Sequence, residues 1–204
     1  MKTKFNNNLP KFLVVDTETG GLVPGKNALL TAAFVLLDSE LNELDHLELS
    51  FKTGRKKVDE EALKVNKIVL TEHNKNALTN KKAALVFNSW LGKHFKKPPH
   101  FLDKMIPIGH NFSFDYGFLR ANFPEIDLHP YISHNPIDTC SNVQMMKLLG
   151  IHPMNFNASL TSIAKKIGIK DTSDAHNALV DTRLCIEVLK WQQKEIEKFY
   201  NGNQ

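Results

Sequence analysis

The 204-residue sequence predicts an α/β fold, a mixed five-stranded sheet of antiparallel meander plus parallel strands, flanked by helices. Three observations carry this. Three strand-length apolar or alternating runs follow one another near the start, joined by short turns. Beyond them, short apolar runs alternate with segments of helical period. No repeat, low-complexity tract or long linker interrupts the order.

The first strand is Lys11–Glu18, "KFLVVDTE", whose apolar run of four reads as buried on both faces. A turn containing Gly20, Gly21, Pro24 and Gly25 leads to the second, "ALLTAAFVLLD". The third, "LDHLELSFK", alternates Leu47, Leu49 and Phe51 and reads as half-exposed. Val58 to Lys97 reads as helical, with Leu85, Trp90 and Leu91 among its core residues. "MIPIGH" is a short buried strand, followed by a helix from about Ser113 to Asn122. "NPID" makes the last strand, and helices follow near Thr139–Leu149, Ser159–Ile167 and Asp174–Phe199. The expected organisation is a flexible segment over 1–10, one domain over 11–200 and a short tail over 201–204.

Hydrophobic residues at 42% and charged residues at 24% suit a soluble globular chain. No segment approaches the roughly 20 apolar residues of a membrane span, and no secretion signal opens the chain. Cys140 and Cys185 lack metal spacing, which points to a reducing, cytoplasmic setting.

Two pairs of acids stand out. Asp16 and Glu18, two apart on a strand, point to the same side and repel each other unless something positive lies between. Asp181 falls in a helical stripe with Ala178, Cys185 and Val188, and Asp115 shares a helix side with Phe118 and Leu119. A carboxylate on an apolar face is costly unless paired, hydrogen-bonded or metal-bound, and the chain has only three arginines. An oxygen-only cluster selects Mg²⁺ or Mn²⁺. Two such ions, about 3.5–4 Å apart, clamp the attacking and leaving oxygens of a phosphodiester. His176 lies five residues before Asp181, about 140° round a helix, so it belongs near the helix start and over the cleft. Histidine, with an unperturbed pKa near 6.5, suits a general base toward water. With the four acids set aside, 18 acids face 26 Lys and Arg, an excess of 8 positive charges around an acidic hole. That surface suits a polyanion; a merely solvated surface reads equally well from charge alone.

The segments "VVDTETGGL", "GHNFSFDYGFL" and "DAHNALVDTRL" resemble, in order, the three motifs of the DEDDh 3′–5′ exonucleases, a family that includes ribonuclease T and the proofreading subunit of bacterial replicative polymerase. The likeness runs from about Lys11 to Trp191 and implies a ribonuclease H-like fold. It implies that Asp16 bridges two metal ions, that Glu18 and Asp181 complete one shell, that Asp115 holds the second ion and that His176 is the base. It also implies that the backbone of Thr17, Thr19 and Gly20 binds the terminal nucleotide, with Leu22 wedged against its bases and the glycines leaving room for a ligand. Asn66 in "EEALKVNKI" matches a substrate-facing position, although Lys67 stands where many members have glycine. Asn111 either orients the cleft or caps its helix. Thr31 stands where relatives place a glutamate.

The expected activity is release of nucleoside 5′-monophosphates from single-stranded 3′ ends. DNA is the favoured substrate and RNA 3′-end trimming the alternative; a non-catalytic nucleic-acid-binding module is a third reading. The chain carries no polymerase domain, so a polymerase partner would act in trans. Phe114 and Phe118 read as core rather than base-stacking, and the run Arg55–Lys57 as a solvated face, though either group could touch nucleic acid.

Overall fold

The computed structural model describes residues 10–169 and 176–202. Three strands come first: β1 (Phe12–Thr19), β2 (Leu29–Leu37) and β3 (Glu43–Ser50). Helices α1 (Glu60–Asn66), α2 (Leu70–Asn76) and α3 (Asn80–His94) follow, then a 3-10 turn at Phe101–Asp103, β4 (Ile106–Gly109) and α4 (Phe112–Asn122). The chain continues through β5 (Ile137–Asp138), α5 (Thr139–Leu148), α6 (Leu160–Lys166) and α7 (Ala178–Gly202). The sheet order is β3-β2-β1-β4-β5. The meander β1–β2–β3 is antiparallel, and β4 and β5 add in parallel to β1. The predicted mixed five-stranded sheet is therefore present.

Alternation along β1 divides the core. Leu13 and Val15 join Phe34, Phe87 and Phe118 on the side of α3 and α4. Val14 faces the other way, with Val35, Ile108 and the α7 residues Cys185, Ile186 and Leu189. All nine residues of β2 are buried, because it lies between two strands with both faces covered. The edge strand β3 is half-exposed, as its alternation predicts. Because β1, β4 and β5 run in parallel, their carboxyl ends open on one edge, the usual place for a ligand crevice in such sheets.

The structure corrects three details. The long helical region after Val58 is three helices, and α1 stops at Lys67, whose left-handed φ of 58° lets its amide donate to the Leu63 carbonyl. That conformation is one glycine adopts most readily. Leu85 is 71% exposed. The inward stripe of α3 runs through Ala83, Phe87, Trp90 and Leu91, and Leu85 lies about 200° round from Ala83. Helix α7 starts at Ala178 and continues through Asn201 and Gly202, which the sequence assigns to a tail. The expected start at Asp174, most of the N-terminal segment (1–9) and residues 203–204 lie outside the described residues.

Candidate active site

Asp16 and Glu18 continue the face of β1 begun by Val14, so both point toward α7. Asp181, in the first turn of α7, meets them there; it is 8% exposed, as is Glu18. Asp115, in the first turn of α4, is 3% exposed and approaches from beyond the strand. Thr17 reaches it from the opposite face of β1: its amide and its hydroxyl both donate to Asp115 Oδ1, at 2.9 and 2.7 Å.

Among the described residues, no lysine or arginine forms an ion pair with any of the four acids. Their protonation follows from that. Burial first, then the charges of Asp115, Asp181 and Glu18, hold the Asp16 carboxyl well above the usual range. Asp16 is partly open to solvent, but protein surrounds it densely enough that burial remains the main cause. Burial and the charges of Asp181 and Asp115 push Glu18 up to about 8. Burial raises Asp115 to about 7 against the opposing bonds from Thr17. Asp181 is raised by burial despite the His176 amide. Four acids that resist ionising for want of a counter-charge are the donor set of a hard divalent cation.

His176 precedes α7 by two residues, exposed and in the left-handed region at φ 75°. Because it is outside the helix, the 140° offset does not apply, and the chain doubles back so that its amide donates to Asp181 Oδ2 at 3.1 Å. Glu18, His176 and Asp181 each offer a ligand atom within 4.8 Å of the others. The second oxygen of Asp181 is buried with no partner among the described residues. An orphaned carboxylate oxygen beside two further ligands fits a metal ion.

Of the remaining expected residues, Thr17, Thr19, Leu22 and Asn66 lie around one cavity of about 450 Å³, whereas Gly20 and Asn111 are not among its lining residues. Gly21 lines it too, and Leu22 stands 80% exposed at its rim. Asn66 is buried, and its amide donates to the Thr19 carbonyl at 3.2 Å, so it fixes the end of β1. The space beside Gly20 is filled by the protein itself: an added Cβ would lie 3.0 Å from Val58 and 3.1 Å from the Lys57 carbonyl. Asn111 immediately precedes α4, in the capping position at φ 70°, but its side chain makes no cap bond. Phe118 is core, as expected, whereas Phe114 is only partly buried and lines the cavity.

Two supporting residues escape a reading of the sequence. Asp138 accepts from the amides of Cys140 and Ser141, capping α5, and from those of Asn111 and Phe112, which fixes the start of α4. An Asp just before a helix was the available signal. Asn27 donates to the Gly20 carbonyl and to Asp59 and accepts from the Val23 amide, tying down the glycine turn. Its partners are set by tertiary folding, so no local pattern marks it.

Thr17→Val keeps the shape and the amide bond but removes the hydroxyl that holds Asp115. Metal affinity is expected to fall roughly 10–100-fold, the usual cost of losing such a support, with circular dichroism unchanged. Calorimetric titration with Mn²⁺ measures it, and undiminished affinity would show that the hydroxyl does not position Asp115.

Residues 13–189 match the family model RNase_T, described as exonuclease. The 3′-5′ DNA exonuclease Cap18 of Escherichia coli is 24% identical over 191 residues, covering 92% of this chain and 94% of that protein. Ribonuclease T of Shewanella sp. strain ANA-3 is 30% identical over 207 residues, covering 95% and 87%. In fold, the chain resembles E. coli exonuclease I, solved in complex with a dT13 oligonucleotide, with a TM-score of 0.71 at 19% identity over 93% of this chain. It spans 42% of the length of that exonuclease I chain.

Proposed function

The chain belongs to the DEDDh 3′–5′ exonuclease family, and on that premise we propose that it removes nucleoside 5′-monophosphates one at a time from single-stranded DNA 3′ ends, using two Mg²⁺ or Mn²⁺ ions. The observation that carries this reading is the convergence of Asp16, Glu18, Asp115 and Asp181 with no basic partner, and with His176 beside two of them. DNA is favoured because the 3′-5′ DNA exonuclease Cap18 aligns over nearly its whole length. The identity to ribonuclease T supports RNA 3′-end trimming as the second reading.

When bound, the ions neutralise the scissile phosphate and activate its attacking and leaving oxygens. Asp16, Glu18 and Asp181 would hold the ion that activates the water, and Asp16 with Asp115 the second ion. His176, poised outside α7, takes a proton from the water through a ring nitrogen as the new P–O bond forms and the 3′ oxygen leaves. Leu22 and Phe114 flank the terminal base, and Asn66 holds the Thr19 carbonyl in place beneath it.

Matched DNA and RNA oligonucleotides, labelled at either end, test the reading. The expected result is stepwise shortening from the 3′ end, faster on DNA, with blunt duplexes cut far more slowly than single strands. A faster RNA reaction would move the assignment to RNA trimming. Cutting of closed circular strands at the linear rate would identify an endonuclease instead.

A further inference from the structure

Behind the turn that walls the cleft lies a second concavity, of about 230 Å³. The turn closes through the Gly20 amide, which donates to the Ala28 carbonyl at 2.8 Å. Gly21 and Leu22 face the cleft from it, while Ala28 and Leu29 line the second cavity. The opposite wall is the loop after β3, which presents Lys52, Arg55 and Lys56. Main-chain bonds pin this loop: Lys52 N to the Leu78 carbonyl at 2.9 Å, Lys56 N to Thr53 at 3.1 Å and Lys57 N to Lys26 at 3.1 Å. The Asn74 side chain holds the Thr53 amide at 3.1 Å. The Lys56 ammonium donates to the Gly25 carbonyl, joining the loop to the wedge turn.

No acid lines the cavity, and among the described residues neither Lys52 nor Arg55 has an acidic partner. Glu125 accepts from the side-chain amide of Asn80, one of the lining residues, at 3.3 Å. A charge run on a solvated face spreads outward into water. Here a pinned turn gathers three cations around one hollow, where they repel one another unless an anion lies between. The hollow shares a wall with the substrate cleft, so the anion nearest to hand is the backbone of the bound strand.

We infer that this cavity binds a backbone phosphate of the single strand, upstream of the terminal nucleotide, through Lys52 and Arg55. The inference rests on the exonuclease reading for the identity of the strand. It makes affinity depend on strand length, because a dinucleotide fills the cleft without reaching past the turn.

Both side chains are exposed, so Lys52→Ala with Arg55→Ala leaves the fold intact. Fluorescence anisotropy in Ca²⁺, with a strand of about a dozen nucleotides, is expected to give on the order of tenfold weaker binding for the double variant. Its log–log salt dependence should be shallower by about 0.7, the contribution of the one single-strand phosphate that the two cations neutralise. Hydrolysis of a dinucleotide in Mg²⁺ should change less than twofold. An unchanged salt slope overturns the inference, and so does an equal loss on long and short substrates, which would place the cations at the cleft itself. Wild-type protein that binds the strand without shortening it would count against the exonuclease reading, while the salt slope would still decide the cavity.

Discussion

Asp16→Asn is expected to cut single-strand hydrolysis by about 10²–10³-fold or more, the scale of removing one electrostatic stabiliser, while making the metal-free protein more stable. The two effects share one cause. Asp16 feels the charges of Asp115, Asp181 and Glu18 on top of its own burial. Neutralising it weakens the hold on the cations and relieves repulsion when they are absent. The same electrostatics fix the pH dependence of the metal-free fold. Unfolded carboxyls titrate near about 4, whereas in the native chain Glu18 is pushed to about 8 and Asp115 to about 7, with Asp16 and Asp181 also raised. Between those limits the native state holds protons that the unfolded state releases. The sign is therefore negative: stability is fully present below the unfolded values and is lost as pH rises toward about 8. Thermal melts from about pH 5 to about pH 9 in chelator should fall steadily, and excess Mg²⁺ should flatten the curve. The Asn variant should start higher and fall less. A metal-free melting temperature that rises with pH, or full activity in chelator, would end the metal-site reading.

The strands and the four acids were legible because each breaks or keeps a simple period. Val14, Asp16 and Glu18 share a face by alternation alone, and Asp181 interrupts an apolar helical stripe. Even the order of the elements followed from where period two gives way to period 3.6. What stayed illegible depends on partners distant in sequence. Thr17 holding Asp115 spans 98 residues. Asn27 ties a turn whose far side is Asp59. Leu85 looked like core because leucine is usually buried, but the phase of α3 is set by Phe87 and Trp90 against Phe34. Phe114 reads as core because its helix side is apolar, yet it is only partly buried and lines the cleft.

His176→Ala is expected to lower the single-turnover rate by about 10²–10⁴-fold, the usual contribution of a general base, with metal and strand affinity within a few-fold of wild type. Its position makes the experiment sharper than a simple deletion. His176 lies within 4.8 Å of ligand atoms of both Glu18 and Asp181, close enough to serve as a ligand itself. If it did, the Ala variant would lose metal affinity along with rate, and calorimetry with Mn²⁺ separates the two roles. Its left-handed backbone adds a further possibility, because a non-glycine residue there costs roughly 1–2 kcal/mol. The loop could depend on that geometry, and its amide on the bond to Asp181. His176→Asn answers this, since asparagine tolerates the left-handed region but cannot act as the base. Equal, large losses of rate in the Ala and Asn variants, with affinity kept, assign proton transfer to the imidazole. A near-normal rate in the Asn variant would reduce His176 to a backbone that holds Asp181 in place, and the proton would have to leave by another route.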